Sequence, residues 1–132
     1  MKLKHISAIL LSAVAVLVTA TGCVKNKEAE ATSKIEKAVS AIKLPEKLNA
    51  TTTMVGCYYQ DKTLTFRNEV EAGTLKRINA DSLKSSTLDR LRNGLFPREL
   101  TSALIESKSS VRYIYVCNSD SIMFSFTPDE LK

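Results

Sequence analysis

Two cysteines sixty residues apart, two glutamates separated by a single residue, and four tyrosines in two short stretches are the side chains here with chemistry to offer. Cys57 and Cys117 could close a disulfide, which persists in an oxidising compartment and restricts the unfolded chain. The alternative is two free thiols packed as small hydrophobes. Cys57 as a nucleophile would need an electropositive, partly exposed setting, and no histidine stands by to activate it. Glu69 and Glu71 fall on one face of a strand end, where like charges could share a proton; a solvated strand end before Gly73 is the simpler account. Tyr113 and Tyr115 also share a face, so they could form a flat recognition surface; a core position, with the rings buried and the hydroxyls tipped to water, is the simpler account. Lys76, Arg77, Lys84, Arg90, Arg92 and Arg98 gather loosely in the middle of the chain and read as a charged helix exterior.

The only histidine is His5, at the very start. Its position leaves Ser-His-Asp and Cys-His catalysis, histidine-metal sites and a histidine pH switch without material. Neither phosphate-cradling glycine motif occurs, and the whole chain has four glycines. No catalytic residue, no metal site and no cofactor is therefore expected, and the chain is read as a non-enzyme.

The first 22 residues have the pattern of an address rather than of a fold. Lys2, Lys4 and His5 make a basic start, Ile6 to Val18 is uncharged and apolar, and Thr19 to Gly22 are small. The apolar run is shorter than the roughly 20 residues a spanning helix needs. Ala20-Thr21-Gly22-Cys23 resembles the lipobox of bacterial lipoproteins, with Ala20 in place of the usual Leu. That resemblance implies cleavage before Cys23, a diacylglycerol on its thiol and often an acyl group on its new amine. Buried methylenes contribute about 0.8 kcal/mol each, so two or more chains hold a protein stably on a membrane without spanning it. Val24 follows the cysteine, not the Asp that retains many such lipoproteins at the inner membrane, so the resemblance favours the outer membrane of a bacterial envelope.

Removal of Lys2 and Lys4 with the leader lowers the net charge from +5 to +3. That balance is too mild and too scattered to point to nucleic acid. The mature 110 residues make one domain's worth of chain. Residues 23–32 read as the lipidated cysteine and a short polar tether, and residues 33–132 as a single α+β domain. Ser33-Lys34-Ile35-Glu36 fits a capping box, after which Ile35, Ala38, Val39 and Ile42 share a helical stripe that Pro45 ends. Thr51 to Tyr59 and Thr63 to Val70 read as a hairpin turning at Gln60 to Lys62, with Leu64, Phe66 and Val70 on one side. Asp81 to Ser107 is helical, with Gly94 closing one helix and Pro97 opening the next. Ser110 to Cys117 and Ser121 to Thr127 form a second hairpin, and Thr127 caps a last helical start. The order, an N-terminal helix then ββ-αα-ββ, predicts a four-stranded antiparallel sheet with helices packed on one face.

Two functions fit these observations. One is a membrane-anchored envelope lipoprotein whose domain binds a protein partner or supports an assembly. The other is a small-ligand or glycan binder that uses the strand surface of Tyr113 and Tyr115.

Overall fold

The computed structural model describes residues 26–132; the leader and the lipobox cysteine, Cys23, lie outside the described residues. The chain runs through α1 (Asn26–Ala41), β1 (Glu46–Lys47), β2 (Thr52–Gln60), β3 (Thr63–Val70), α2 (Thr74–Arg77), α3 (Ala80–Arg92), α4 (Arg98–Glu106), β4 (Ser110–Cys117) and β5 (Asp120–Phe126), and ends in a 3-10 turn, Asp129–Leu131. The class is α+β, as the alternation of patterns predicts. Among the described residues, no helix is long and apolar enough to cross a membrane.

The sheet differs from the expected one in strand number and direction. It has five strands in the order β1-β2-β3-β4-β5. The β2–β3 and β4–β5 hairpins are antiparallel as expected, but β3 and β4 run parallel, with Thr63 opposite Ser110 and Glu69 opposite Val116. The reason lies in the long helical connection. A parallel pair needs a crossover of a dozen or more residues, and α2, α3 and α4 together carry the chain back to the starting end of β3. The fifth strand, β1, is a two-residue pairing of Glu46 with Met54 and Lys47 with Thr53, too short to leave a pattern in the sequence.

One face of the sheet holds the core. Leu64 and Phe66 on β3, Val111, Tyr113 and Tyr115 on β4, and Phe124 and Phe126 on β5 are all buried. They continue across the strands in register: Leu64 with Val111 with Phe126, and Phe66 with Tyr113 with Phe124. On β2 the alternation breaks once. The register shifts between Met54 and Gly56, leaving Val55 as the extra residue of a bulge, so both Met54 and Cys57 face inward. Gly56 suits this kink, because a Cβ there would lie 3.2 Å from that of Arg67. The opposite face carries Tyr58 and Met123, 40% and 64% exposed.

The helical layer covers the inner face in two unequal parts. α1 packs against α4, and Ala31, Ile35, Ala103 and Leu104 are sealed there; each fully buried Ile or Leu contributes roughly 1.5–3 kcal/mol. α1 begins at Asn26, so residues 26–32 of the expected tether are helical and Ser33 lies inside the helix rather than capping it. Lys, Glu and Ala of this stretch are good helix formers, Glu28 sits favourably in the first turn, and Ala31 extends the buried stripe of Ile35 by one turn. A chain of hydroxyls fixes the entry to β4. Ser107 Oγ donates to the Ala103 carbonyl at 2.7 Å, and Ser109 Oγ stands between Ser107 Oγ at 2.6 Å and the Tyr59 hydroxyl at 2.5 Å.

Candidate functional cavity

The other part of the helical layer, α3 and its flanks, does not close onto the sheet. It leaves a cavity of about 560 Å³, within the size range of pockets that hold small molecules. The cause is the composition of α3. Toward the cavity it presents Leu83, Thr87 and, at the edge, the exposed Arg90, while its buried Leu91 packs into the core away from that space. Thr87 uses its hydroxyl on its own helix, donating to the Leu83 carbonyl at 2.7 Å, and so turns little volume toward the sheet.

The position of α3 is fixed at both ends. Asn79 caps it by accepting from the Ser82 amide at 3.0 Å. At its C-terminus Gly94 adopts φ +97°, and the Leu95 amide donates to the Arg90 carbonyl at 2.8 Å. This is a Schellman closure, and it delivers Leu95 and Phe96 to the cavity wall. Leu48 and Asn49, from the loop between β1 and β2, stand on another side.

Met54, Phe66, Asn68, Tyr113 and Tyr115 belong to the sheet side. The Phe66 ring lies 5.1 Å from Tyr113 and 5.5 Å from Phe96, and Tyr113 lies 6.4 Å from Tyr115. Asn68 occupies a core-facing position of β3 between Met54 and Tyr115. It is 1% exposed, and its Oδ1 is buried with no hydrogen-bond partner among the described residues. Leaving such a group unpaired costs about 1–3 kcal/mol, and unsatisfied buried groups call for a specific explanation. Arg90, exposed at the edge, is the one charged residue of the lining, which has no carboxylate. Burial pushes the hydroxyls of Tyr113 and Tyr115 above the ordinary tyrosine range, and the Arg90 guanidinium opposes that rise at both. The arrangement therefore offers apolar burial against aromatic rings, one unpaired buried amide oxygen on Asn68, two phenols and a guanidinium.

No family model and no curated protein matches the sequence. Among solved structures the chain is similar to the crystal structure of a "putative secreted protein" from Pseudomonas aeruginosa, with a TM-score of 0.64 and 17% identity. The match covers 84% of this chain and 99% of that one. At that identity the likeness shows the fold alone.

Of the residues singled out in the sequence, Tyr113 and Tyr115 do share a face, but it is the inner one. They are 8% and 9% exposed and line the cavity rather than a flat outer surface. Cys57 and Cys117 are free thiols, so the disulfide left open by the sequence does not form. Cys57 lies level with Phe66 and Tyr113, two strands from β4, and Cys117 lies four residues further along. At about 4.8 Å per strand and 3.3 Å per residue the two are about 16 Å apart, far beyond the roughly 7 Å limit for a bridge. Burial pushes the Cys57 thiol up to about 12, and Cys117 Sγ donates to the Glu71 carbonyl at 3.5 Å. The residues missed were Asn68, Met54, Phe66 and Phe96, and Arg90 was seen only as part of a charged exterior. One signal was present: Asn68 breaks the apolar series Leu64, Phe66, Val70 at the position where alternation calls for another hydrophobe.

Proposed function

We propose that this chain is a non-catalytic envelope lipoprotein, anchored through lipid on Cys23, whose domain binds a small, largely apolar molecule in the cavity between α3 and the sheet. The observation that carries the binding role is Asn68: a buried amide oxygen without a partner, facing a 560 Å³ space walled by aromatic rings. A ligand donor would satisfy it, and the rings would bury the ligand's apolar part. The leader and the Ala20-Thr21-Gly22-Cys23 motif support export and anchoring. So does the description of the structural neighbour as a secreted protein. Val24 favours the outer membrane.

Titration of the chain from Val24 onward with the uncharged dye Nile red tests the binding role. Saturable fluorescence enhancement is expected. Filling the cavity with Leu83→Trp, or with Thr87→Met should the first variant unfold, removes it, whereas Met123→Asp on the opposite face leaves it intact. Enhancement that survives cavity filling defeats the reading. The anchor is tested by metabolic labelling with a palmitate analogue, which Cys23→Ala should abolish; equal labelling of both proteins would remove lipidation.

A second reading, docking of an envelope protein, is favoured by the outer sheet face, where Tyr58 and Met123 stand exposed and Ile114 and Val116 are half-buried. In-cell crosslinking that captures one reproducible neighbour in the wild type and loses it in Met123→Asp would support it.

A further inference from the structure

We propose that the occupant of the cavity is an anionic amphiphile, its carboxylate or phosphate head held by Arg90 with the Tyr113 and Tyr115 hydroxyls and its apolar body lying over Phe66, Phe96 and Met54. The proposal rests on the cavity being a ligand site and adds the chemical class of the ligand.

The sign of the head group follows from the lining. Arg90 is its one charged residue and has no acid beside it in the cavity. Among the described residues the ion pairs are Lys62 with Glu28 and Lys132 with Asp129, so Arg90 takes part in neither. Its influence on both tyrosine hydroxyls places positive potential at that end of the space. Neither hydroxyl has a hydrogen-bond partner among the described residues, and both can donate to an anion. Asn68 stands opposite both Tyr115 and Met54 in the register and is 1% exposed, so its amide oxygen lies inward of the head, where a donor on the body of the ligand would meet it. A cationic head would meet Arg90 with repulsion, and a purely apolar ligand would leave four polar side chains unanswered.

The shape of the rest follows from the rings. Phe66 stacks on Tyr113 at 5.1 Å and lies 5.5 Å from Phe96, with Met54 beside Asn68. Flat rings and a flexible thioether accept a chain or a ring system without demanding hydrogen bonds. Arg90 is exposed while Phe66 and Met54 are buried, so the head sits at the mouth and the body goes inward.

Free fatty acids and phosphorylated lipid fragments share this chemistry, and calorimetry with four ten-carbon probes separates them. Decanoate and decyl phosphate represent the two anionic sources, decan-1-ol the neutral control and decyltrimethylammonium the cation. One or both anions should bind about tenfold or more tighter than decan-1-ol, the discrimination expected of hydrogen bonds to a charged group; the tighter of the two identifies the head. Arg90→Gln should erase that preference, and Arg90→Lys should restore part of it. Arg90 is exposed, so these variants keep the fold, which a thermal unfolding scan verifies. Equal binding of alcohol and anion by the wild type, tighter binding of the cation, or a preference that persists in Arg90→Gln would overturn the proposal. Nile red binding without binding of any decyl probe would overturn the ligand class alone. Failure of Nile red and of all four probes would overturn the ligand site itself.

Discussion

Glu36 and Glu130 are carboxylates pushed in opposite directions by their surroundings. Glu36 lies on α1 with Oε2 buried and unpaired, and burial raises its pKa above 4.5. A raised carboxylate contributes stability below its unfolded value that is lost as the pH rises through the folded one. Glu36→Gln should therefore raise the melting temperature at pH 7 and leave it unchanged at pH 3. Glu130 is held below 4.5, first by the Thr127 amide that donates to it and also by the Thr127 hydroxyl, Lys84 and Arg92. Its contribution is present above the unfolded value and lost as the pH falls through the folded one. Glu130→Gln should lower the melting temperature at pH 7 and match the wild type at pH 3. Thr127→Ala, which also removes the reciprocal bond to the Glu130 amide, should cost about 0.5–1 kcal/mol in denaturant unfolding. At this scale the sequence was partly legible. The shared face of Tyr113 and Tyr115 follows from alternation alone, but which way that face points depends on where the helices land. Arg90 could not be told from its charged neighbours, because only the docking of α3 aims it at the cavity.

The hairpin between β2 and β3 turns through Asp61 and Lys62, both at positive φ, 52° and 54°. Such two-residue turns match the strand twist but strain a residue with a Cβ. Lys62→Gly should relieve that strain and stabilise the domain by about 0.5–1 kcal/mol, little offset by loss of the exposed Lys62–Glu28 pair, as chemical denaturation would show. Elements with strong local signals were read correctly: both hairpins, the Gly94 helix end, and a helical start after Thr127 that closes as a 3-10 turn. Two local readings gave way to tertiary structure. The capping box at Ser33 lost to a helix that continues upstream, where Ala31 gains burial against its neighbours. β1 exists only because the chain after α1 passes the edge of β2.

For the molecule as a whole, the parallel pairing of β3 and β4 decides most of what lay beyond local pattern. A hairpin announces itself in its turn residues, but the direction in which two hairpins meet depends on where the intervening helices deposit the chain. That same arrangement separates Cys57 from Cys117. The unfolding midpoint should accordingly be the same with and without reductant, and both thiols should react with a maleimide once the protein is denatured under non-reducing conditions. A midpoint lowered by reductant would require a different sheet.

The bulge at Val55 ties one extra residue to the orientation of everything before it on β2. Strand side chains alternate with a period of two. The two-residue turn at Asp61 and Lys62 holds Cys57 opposite Phe66 and Tyr59 opposite Leu64, so were Val55 paired instead of extruded, Val55 would face Asn68 and Met54 would be turned away from the cavity. One extruded residue thus decides which side chain of the strand's first half becomes lining.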